Sequence, residues 1–479
     1  MGKELRPYQL EAIDYAATYL KDNQRLLIQV PTGGGKTVIF AELVRRIAAR
    51  KKTVCVLANR LKLVDQAADT FREMGIQYTL FNADVPSYLN RLSPYCIASV
   101  STLRARSIIP QHDFIFVDEA HLKDFDPILA KVKNKVIGFT ATPARMAGLD
   151  TMQDVYQHLW QGPQVNELVN DGYLVRADIY STPLDYTGLR KTNGEFTAAS
   201  QEKVLMAKAN MESVFANWVK YKGKASIIFT PSVKASKEVA DYFNERGYRI
   251  MHVDGQMDKA FTRKIDHLLK TEQIDGISNC ALLTFGYDNP IIDTVVVDRS
   301  TMSLPLWLQM TGRGSRLYPG KTHFRVLDFG DNVSRHGHWQ ADRDWLGYFK
   351  GNDQTQSEDS EDPITLIRTC EVCYFVFDRK ELTCPECGHV HVIKEKEVTF
   401  VEKDLQLVDF INELHSAIDW KSKTIQELSD YAIQKEYKLG WLVRKIKATY
   451  PDPYDRLSEL AIIRGYSPAW VHRMIKVYF

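Results

Sequence analysis

The stretch QVPTGGGKTVIF, Gln29 to Phe40, decides the fold of the first part of the chain. Three glycines and a Lys-Thr pair follow the apolar run LLIQV and precede the amphipathic run VIFAELVRRIAARK. A glycine-rich turn that enters a helix points backbone N–H groups at an anion. Lys36 adds a positive charge for phosphates, and Thr37 offers a hydroxyl to Mg²⁺. Val30 stands where the usual phosphate-loop pattern has its first glycine, so this stretch alone leaves a flexible strand–helix turn as an alternative.

The composition limits the classes of protein to which this chain can belong. The 479 residues, 44% apolar and 25% charged, are ordinary for a globular chain of about three domains. The net charge of +2 restricts any nucleic-acid surface to a local patch. No run reaches the roughly 18 apolar residues of a membrane span, and the N-terminal sequence has no secretion signal. We therefore expect no membrane partner, no secretion, and a cytoplasmic location in a bacterial or phage-infected cell.

Two series of short apolar runs predict two parallel sheets. Each run is strand-length, rich in Val, Ile and Phe, and apolar on both faces, as parallel strands covered by helices are. Residues 195–221 are predicted to form a helix within the second series. The runs are LLIQV, TVCVLAN, YCIASV, DFIFVDEAH and KVIGFTATP, then ADIYSTP, ASIIFTP, YRIMHVDG, ISNCALLTF, DTVVVDRS and FRVLDFG. The fold class is therefore α/β with two tandem domains.

Changes in composition divide the chain into five segments. We expect α/β domains over 1–150 and 151–345, and an acidic linker over 346–365 that is poor in apolar residues. A small cysteine-bearing module follows over 366–396. The remainder, 397–479, has helical periodicity, many aromatic residues and, towards its end, an excess of Lys and Arg. We expect a helical, basic C-terminal domain there.

An acidic pair ends one of the apolar runs. FIFVDEAH, residues 114–121, ends its strand in Asp118 and Glu119, and ligands bind at the carboxyl edge of a parallel sheet. There Asp118 can hold Mg²⁺, directly or through water, and Glu119 can orient and deprotonate an attacking water. The alternative, a surface acidic pair, is weakened because four consecutive apolar residues direct the pair to the sheet edge.

Two arginines lie far along the chain, in QMTGRGSRLYPG, residues 309–320. Arg313 and Arg316 are three residues apart and share one face of a helical turn. Two guanidinium groups on one face can clamp a phosphoryl group, as an arginine finger does. Taken alone, this stretch is better explained as the solvated start of a basic helix.

Together these stretches resemble the motifs of superfamily 2 helicases over roughly residues 3–330. VPTGGGKT resembles motif I, which commonly lacks the first glycine, and VDEAH resembles motif II in its DEAH form. The match is closest to the branch with XPB-like repair helicases, type I restriction translocases and many phage helicases. Further matches, in the family's order, are LRPYQLEAI (the adenine-reading glutamine motif), LANRLKLVDQ (Ia), SVSTL (Ib), TAT (III), IIFTPSVKASKEVA (IV), CALLTFGYDNP (V) and QMTGRGSR (VI).

The resemblance implies two RecA-like domains that face each other across one ATP. Mg²⁺ would be held by Thr37 and Asp118. The residues implied in catalysis are Lys36, Asp118, Glu119, Gln309, Arg313 and Arg316. The residues implied in ATP binding are Arg6, Gln9, Pro31, Thr32, Gly33, Gly34, Gly35, Lys36, Thr37, Gly286 and Asp288.

The resemblance also implies that one nucleic-acid strand is held through its backbone, which makes such motors largely independent of sequence. Ser101 and Thr102 are explained equally well as the end of a strand and the cap of a helix. The residues implied in DNA contact are Arg60, Ser101, Thr102, Thr230 and Thr284. Those implied in coupling the two sites are His121, Thr140 and Thr142. Relatives in this branch usually move 3′→5′, which is our expectation for direction.

The cysteines divide into two classes. Cys55, Cys96 and Cys280 lie alone in apolar surroundings and are predicted to be buried small hydrophobes. The remaining four form a C-x2-C-x10-C-x2-C pattern, which predicts a closed, structural Zn²⁺ site of the zinc-ribbon kind. A redox role for the two C-x-x-C pairs is the weaker alternative, and His389 and His391 are given no ligand role. The four predicted zinc ligands are Cys370, Cys373, Cys384 and Cys387.

The basic tail mixes aromatic residues with cations, a combination that can stack on bases and neutralise phosphates. At helical spacing such aromatics are more often core, and we expect this of Trp441 and Trp470. The sequence therefore predicts an ATP-driven motor that moves on DNA and unwinds or remodels forked or branched DNA in replication, recombination or repair, with proteins of those pathways as partners. An RNA helicase, a translocase subunit of a nuclease or restriction complex, and a non-catalytic ATP-dependent clamp are the alternatives.

Overall fold

The computed structural model describes 23 stretches of the chain, and all structural statements below concern them. No helix in these stretches is both long and apolar enough to cross a bilayer. Contacts group residues 1–393 into one compact unit and residues 394–479 into a second. The described residues are 5–59, 68, 71–72, 75–83, 93–145, 151–182, 184, 186–192, 194–255, 257, 259–280, 282–284, 287, 289–351, 367–370, 372–378, 381–390, 424–434, 439–450, 453–464, 466, 470–472 and 474–475.

The first sheet has seven strands, all parallel, in the order β3-β4-β2-β5-β6-β1-β7. Side chains on both faces are buried: Leu26 and Ile28 of β1 pack into one hydrophobic cluster, and Leu27 packs into another on the opposite face. The strands are β1 (Arg25–Gln29), β2 (Val54–Ala58), β3 (Thr79–Phe81), β4 (Tyr95–Ser99), β5 (Phe114–Asp118), β6 (Lys135–Thr140) and β7 (His158–Gln161).

The second sheet has eight strands in the order β12-β13-β11-β14-β15-β8-β17-β16. The six strands from β12 to β8 are parallel, while β17 joins β8 antiparallel and β16 joins β17 antiparallel. A separate pair is formed by β9 (Lys191–Thr192) and β10 (Glu195–Phe196). The sheet strands are β8 (Arg176–Ser181), β11 (Ser226–Phe229), β12 (Ile250–His252), β13 (Gly276–Asn279), β14 (Thr294–Val297), β15 (His323–Asp328), β16 (Ile367–Thr369) and β17 (Phe375–Asp378).

Helices separate most of the strands. The two predicted parallel-sheet domains are confirmed. The helices of the first unit are α1 (Pro7–Tyr19), α2 (Lys36–Ala49), α3 (Val100–Ala105), α4 (Asp126–Leu129), α5 (Val165–Asn170), α6 (Ala198–Leu205), α7 (Lys208–Tyr221), α8 (Val233–Asn244), α9 (Lys259–Lys270), α10 (Leu304–Thr311), α11 (Asn332–His336) and α12 (Trp345–Lys350).

Three local features differ from the sequence expectation. The single helix predicted over 195–221 is strand β10 followed by two helices, α6 and α7. The side-chain amide of Asn210 donates to the carbonyl of Leu205 at the break between the helices. The strands β3 and β7 were not predicted, because both lie at sheet edges and lack the fully apolar pattern of interior strands. Helix α12 occupies residues where the acidic linker was expected to begin, and residues 352–365 of that linker lie outside the described part.

The cysteine-bearing segment is joined to the second sheet. In β17, Phe375 pairs with Tyr180 of β8, and their rings meet edge to face with centroids 5.4 Å apart. The phenol hydroxyl of Tyr180 also donates to Glu386 Oε1 at 3.2 Å. This hairpin therefore extends the second sheet through both backbone pairing and side-chain packing.

The second unit contains three helices, α13 (Ile425–Gln434), α14 (Leu439–Thr449) and α15 (Pro453–Arg464), followed by shorter helical pieces. Leu428, Val443 and Leu460 are fully buried in its core. Trp470 packs partly buried against this core and stacks on Tyr466 at 4.6 Å, as a core aromatic would, while the side chain of Trp441 lies outside the described part.

Candidate active site

The predicted phosphate loop connects β1 to α2. Gly33 and Gly35 have left-handed φ angles of 85° and 87°, where a side chain would be strained. Val30 is fully buried, and a Cβ added to Gly34 would lie 2.6 Å from its Cγ1. The valine side chain thus supports the turn from the position where other phosphate loops have glycine. Lys36 Nζ donates to the carbonyl of Val30 at 3.3 Å, and Thr37 is exposed in the first turn of α2.

Helix α1 holds the phosphate loop from one side. Gln9 Nε2 donates to the carbonyl of Gly34 at 3.2 Å, and the hydroxyl of Tyr8 donates to the same carbonyl. The backbone N–H of Arg6 donates to Gln9 Oε1 at 3.0 Å, which fixes the orientation of the amide. The predicted glutamine motif therefore contacts the predicted phosphate loop directly.

A cavity of about 460 Å³ lies beside this helix start. The guanidinium carbon of Arg6 stands 4.3 Å from the ring centroid of Tyr173, and Tyr8 meets the same ring edge to face at 6.2 Å. Sequence reasoning missed Tyr173 because it lies outside every motif, in the loop after α5. The cavity is lined by Pro7, Tyr8, Glu11, Pro163, Glu167, Asn170, Asp171 and Tyr173.

The acidic pair lies at the carboxyl end of β5. Glu119 has a left-handed φ of 51°, and its backbone N–H donates to Asp118 Oδ1 at 2.9 Å. Burial, followed by repulsion from Glu119, raises the pKa of Asp118 to about 7, although Lys36 opposes this. Burial lowers the pKa of Lys36 against the attraction of both carboxylates. The lysine and the two acids therefore form one electrostatic cluster.

The second domain closes on this cluster. Gln309 Nε2 donates to Glu119 Oε2 at 3.1 Å. The charges of Arg313 and Arg316 contribute to lowering the pKa of Lys36. Arg313 is 5% exposed, and one of its Nη groups donates to the carbonyl of Tyr287. The residues predicted for catalysis are thus brought together from both domains.

The phosphate loop and the arginine-bearing turn are also in direct packing contact. A Cβ added to Gly312 would lie 2.9 Å from Thr32 Cβ, and one added to Gly33 would lie 3.1 Å from Ser315 Oγ. Pro31 is buried, and Thr32 is 9% exposed. Glycine at 312 is therefore required by the close approach of the two domains in this closed arrangement.

The residues predicted to couple the sites form a hydrogen-bonded chain. His121 Nδ1 lies 3.0 Å from Thr140 Oγ1, and His121 also lies 3.5 Å from Glu119 Oε2. The hydroxyl of Thr140 donates to the carbonyl of Thr142 at 2.9 Å and accepts from its N–H at 3.0 Å. Since that hydroxyl proton is used, Nδ1 of His121 must be the donor to Thr140. The hydrogen-bonded chain leads from His121, which lies beside Glu119, to the segment after β6.

The predicted DNA-contacting residues divide into three groups. Ser101 is exposed at the start of α3, whereas Thr102 is buried. Thr230 is fully buried, and its hydroxyl donates to the carbonyl of Ser232 at 3.0 Å, so this conformation argues against its contact with a strand. Thr284 lies in a short 3₁₀ turn, and its side chain is outside the described part. Also outside the described residues are Arg60, Gly286 and Asp288.

The four clustered cysteines converge in pairs. Cys370 Sγ lies 3.7 Å from Cys387 Sγ, and Cys373 Sγ lies 3.6 Å from Cys384 Sγ. These separations exceed the roughly 2.05 Å of a disulfide. They match the sulfur–sulfur distance of about 3.8 Å expected when four thiolates surround a Zn²⁺ ion tetrahedrally with Zn–S bonds near 2.3 Å. The backbone N–H of Val372 donates to Cys370 Sγ at 3.4 Å, as in a metal-binding knuckle. The donor set and its geometry therefore fit a Zn²⁺ ion.

The prediction that the other three cysteines lie alone is wrong for two of them. Cys55 and Cys96 are fully buried but lie next to each other and to His112. Adjacent strands bring them together across 41 positions, which periodicity does not reveal. Cys280 is partly exposed, and its thiol lies 3.5 Å from the carbonyl of Pro231.

Two family models match the chain. Residues 2–145 match the model of the type III restriction enzyme res subunit, and residues 209–318 match the helicase conserved C-terminal domain. The first match covers the phosphate loop and the acidic pair, and the second covers the arginine-bearing turn. The two matches thus fall on the two halves of the assembled site.

Individual relatives agree with these models. A 51.5 kDa protein of Lactococcus phage (isolate 7-9) is 28% identical over 433 residues, which cover 88% of each chain. The putative ATP-dependent helicase IRC3 of Saccharomyces cerevisiae is 26% identical over 68% of this chain and 51% of its own length. The DNA-bound type ISP restriction-modification enzyme LlaBIII is similar in fold, with a TM-score of 0.50 and 19% identity over 68% of this chain and 27% of that one.

The chain therefore spans about half of the yeast relative and about a quarter of the restriction enzyme. The two family models fall on the two RecA-like, parallel-sheet domains of this chain. The family models, the two parallel sheets and the cleft assembled from both of them indicate a superfamily 2 helicase, that is, an ATP-dependent helicase or translocase.

Proposed function

We propose that this protein hydrolyses ATP to move along DNA and to unwind or remodel forked or branched DNA. The observation that carries the proposal is the hydrogen bond between Gln309 and Glu119, which joins the two domains at the acidic pair. In this assignment residues 1–150 supply the phosphate loop and residues 151–345 supply the arginines. ATP would close the cleft, and hydrolysis would remove the contacts that favour closure.

Each residue of the cleft has a distinct chemical role in this proposal. Lys36 and the backbone of the phosphate loop bind the β- and γ-phosphates. Glu119 orients the attacking water and accepts its proton, and Gln309 holds that carboxylate in place. Arg313 and Arg316 stabilise the charge that develops on the transferred phosphoryl group.

The metal-ion assignments rest on donor chemistry. A hydroxyl and a carboxylate are the hard oxygen ligands that Mg²⁺ prefers, so Thr37 and Asp118 fit this ion. Mg²⁺ would neutralise phosphate charge during transfer. Four thiols within 4.8 Å of one another fit Zn²⁺ as a complete ligand set and leave no open position, so that ion would be structural. The zinc ligands would be Cys370, Cys373, Cys384 and Cys387.

We assign the base of ATP to the cavity beside α1. Arg6 and Tyr173 already stack there, and an adenine ring can insert beside such a planar pair. Gln9 bridges this region to the phosphate loop through Gly34. The cavity volume of about 460 Å³ lies within the range of small-molecule sites.

DNA is favoured over RNA because a neighbour in fold, LlaBIII, is bound to DNA and because the first domain matches a restriction-enzyme model. The same model supports a second candidate, a translocase subunit that works with a separate nuclease chain. Of the predicted contacts, Ser101 remains the exposed candidate among the described residues.

The test is ATP hydrolysis measured with single-stranded DNA, forked DNA, a Holliday junction and RNA. We expect stimulation by DNA, unwinding of the forked or branched substrates, and loss of both in Lys36→Ala. Lys208→Ala is the matched control, since that side chain is 88% exposed outside the cleft. Stimulation by RNA alone would transfer the assignment to RNA, and stimulation without unwinding would favour the restriction-type translocase.

A further inference from the structure

A second group of metal-ligating side chains lies in the first sheet, near the amino ends of β2 and β4. The phosphate loop lies at the opposite, carboxyl end of the strands. Cys55 and Cys96 are the second residues of β2 and β4 and pair in register across these parallel strands. His112 lies just before β5. The three side chains are buried, at 0%, 0% and 6% exposure, and their ligand atoms lie within 4.8 Å of one another. The ATP site uses none of them.

The spacing of these atoms suits a tetrahedral ion. Cys96 Sγ lies 3.6 Å from His112 Nε2. A tetrahedral ion with Zn–S near 2.3 Å and Zn–N near 2.0–2.1 Å places sulfur and nitrogen roughly 3.6 Å apart. The cysteines are free thiols in this structure, so both sulfurs are available as ligands.

The histidine has an unsatisfied nitrogen. His112 Nδ1 is buried and makes no hydrogen bond to any described residue. Buried polar atoms usually have a partner, and those that do not call for an explanation. His112 Nε2 lies 2.7 Å from the carbonyl of Ser93, which places a fourth possible donor, an oxygen, beside the ring. Nε2 therefore faces both the Cys96 sulfur and this carbonyl, and for Nε2 to bind an ion the ring proton has to stand on Nδ1.

We propose that Cys55, Cys96 and His112 bind a soft divalent cation, Zn²⁺, with the carbonyl oxygen of Ser93 at the fourth position. Binding displaces the two thiol protons to solvent and forms two metal–thiolate bonds and one metal–imidazole bond. Two thiolates, a neutral imidazole and a divalent ion sum to zero charge, whereas a monovalent ion would leave a net negative charge in the buried site. The ion cross-links β2 and β4 to the segment before β5 and so stabilises the first sheet at the amino ends of these strands.

The competing explanation is a metal-free cluster of hydrogen-bonded thiols. Native mass spectrometry of the full chain, exchanged into zinc, counts the ions on each folded molecule and distinguishes the two. Cys96→Val and Cys55→Val keep an apolar residue that is favourable in strands, so both variants are expected to fold. Cys280→Val is the matched control, because it changes a cysteine outside both clusters.

The proposal requires that Cys96→Val and Cys55→Val each lose one zinc per chain and that Cys280→Val lose none. Unchanged zinc content in the two cluster variants overturns it. If neither variant folds, the double variant Cys384→Ser/Cys387→Ser decides, because it removes the other predicted site and leaves this one intact. One remaining zinc supports the proposal, and none refutes it. ATP hydrolysis does not enter this readout, so the outcome is independent of the proposed motor activity.

Discussion

Gln309 of the second domain donates a hydrogen bond of 3.1 Å from its Nε2 to Glu119 Oε2 of the first domain, across 190 positions of sequence. Both side chains are buried, at 1% and 7% exposure. A hydrogen bond to a charged, buried carboxylate contributes more than an exposed neutral one. The pair therefore links closure of the cleft to the position of the proposed general base.

Removal of this link is expected to slow hydrolysis. Gln309→Ala should lower kcat by roughly ten- to a hundredfold, since a hydrogen bond to a charged group is worth about 1.5–3 kcal/mol. KM for ATP should change much less, because the phosphate loop is untouched. Steady-state ATPase kinetics with the exposed-site control Gln273→Ala would check this. An unchanged kcat would mean that the bond is a feature of the nucleotide-free state alone.

Tyr173 is expected to contribute to nucleotide affinity rather than to chemistry. Tyr173→Ala removes the ring that stacks with Arg6 and should raise KM for ATP by about tenfold, with kcat nearly unchanged. Inhibition by inorganic tripolyphosphate, which has no base, serves as the internal control and should be unaffected. Equal weakening of both ligands would place Tyr173 in the support of the phosphate loop instead.

The raised pKa of Asp118 makes Mg²⁺ affinity depend on pH near neutrality. Burial and Glu119 raise this pKa to about 7, so the protonated, non-ligating form dominates below that value and the carboxylate above it. The apparent affinity for Mg²⁺ should therefore fall by about tenfold for each pH unit below 7. Magnesium titrations of ATPase activity between pH 5 and 8 test this. Affinity that is flat across this window would contradict the assignment of Asp118 as a ligand.

The raised pKa of Asp118 also makes the stability of the metal-free protein depend on pH. Stability falls as pH rises, whereas Mg²⁺ affinity increases. The pKa of Asp118 is higher in the folded chain than in the unfolded one, so between about pH 4 and 7 the folded state binds more protons. Stability of the metal-free protein should then decrease as pH rises through this window. Asp118→Asn should remove that component of the pH dependence, as measured by denaturant unfolding in the presence of a chelator.

Loss of the His121–Thr140 hydrogen bond should uncouple hydrolysis from movement. Thr140→Val keeps the side-chain volume but removes the hydroxyl that joins His121 to Thr142. We expect ATP hydrolysis within about threefold of wild type and unwinding reduced by about tenfold, reflecting a loss of about 1.4 kcal/mol of coupling. Thr271→Val, at an exposed position, is the control. A parallel decrease of both activities would assign Thr140 to the chemical step.

The zinc ion proposed for the four clustered cysteines is expected to support the edge of the second sheet. Cys384→Ser/Cys387→Ser should lose one zinc per chain, and hydrogen exchange should increase in β17 and in the edge of β8 that pairs with it. Cys280→Ser is the matched control. Retention of all bound zinc, or exchange that is unchanged in β17, would contradict the structural role of the ion.

Much of the fold follows from local pattern. All eleven apolar runs identified in the sequence coincide with strands, because a buried parallel strand must be apolar on both faces. The edge strands β3 and β7 escaped this reasoning since exposed or polar residues interrupt their apolar runs. The break between α6 and α7 escaped it because the apolar periodicity does not mark the point where the Asn210 amide binds the last carbonyl of α6.

The residues proposed to meet phosphate and metal could be predicted from the sequence, because Gly33, Gly35, Lys36 and the acidic pair depend on short-range geometry, a turn before a helix and the end of a strand. Three contacts became visible in the tertiary structure alone. They are the contact of Gln309 with Glu119, the packing of Gly312 on Thr32, and the proximity of Cys55, Cys96 and His112. The physical reason is that strand order and domain closure, rather than local propensity, bring distant positions within a few ångströms of one another.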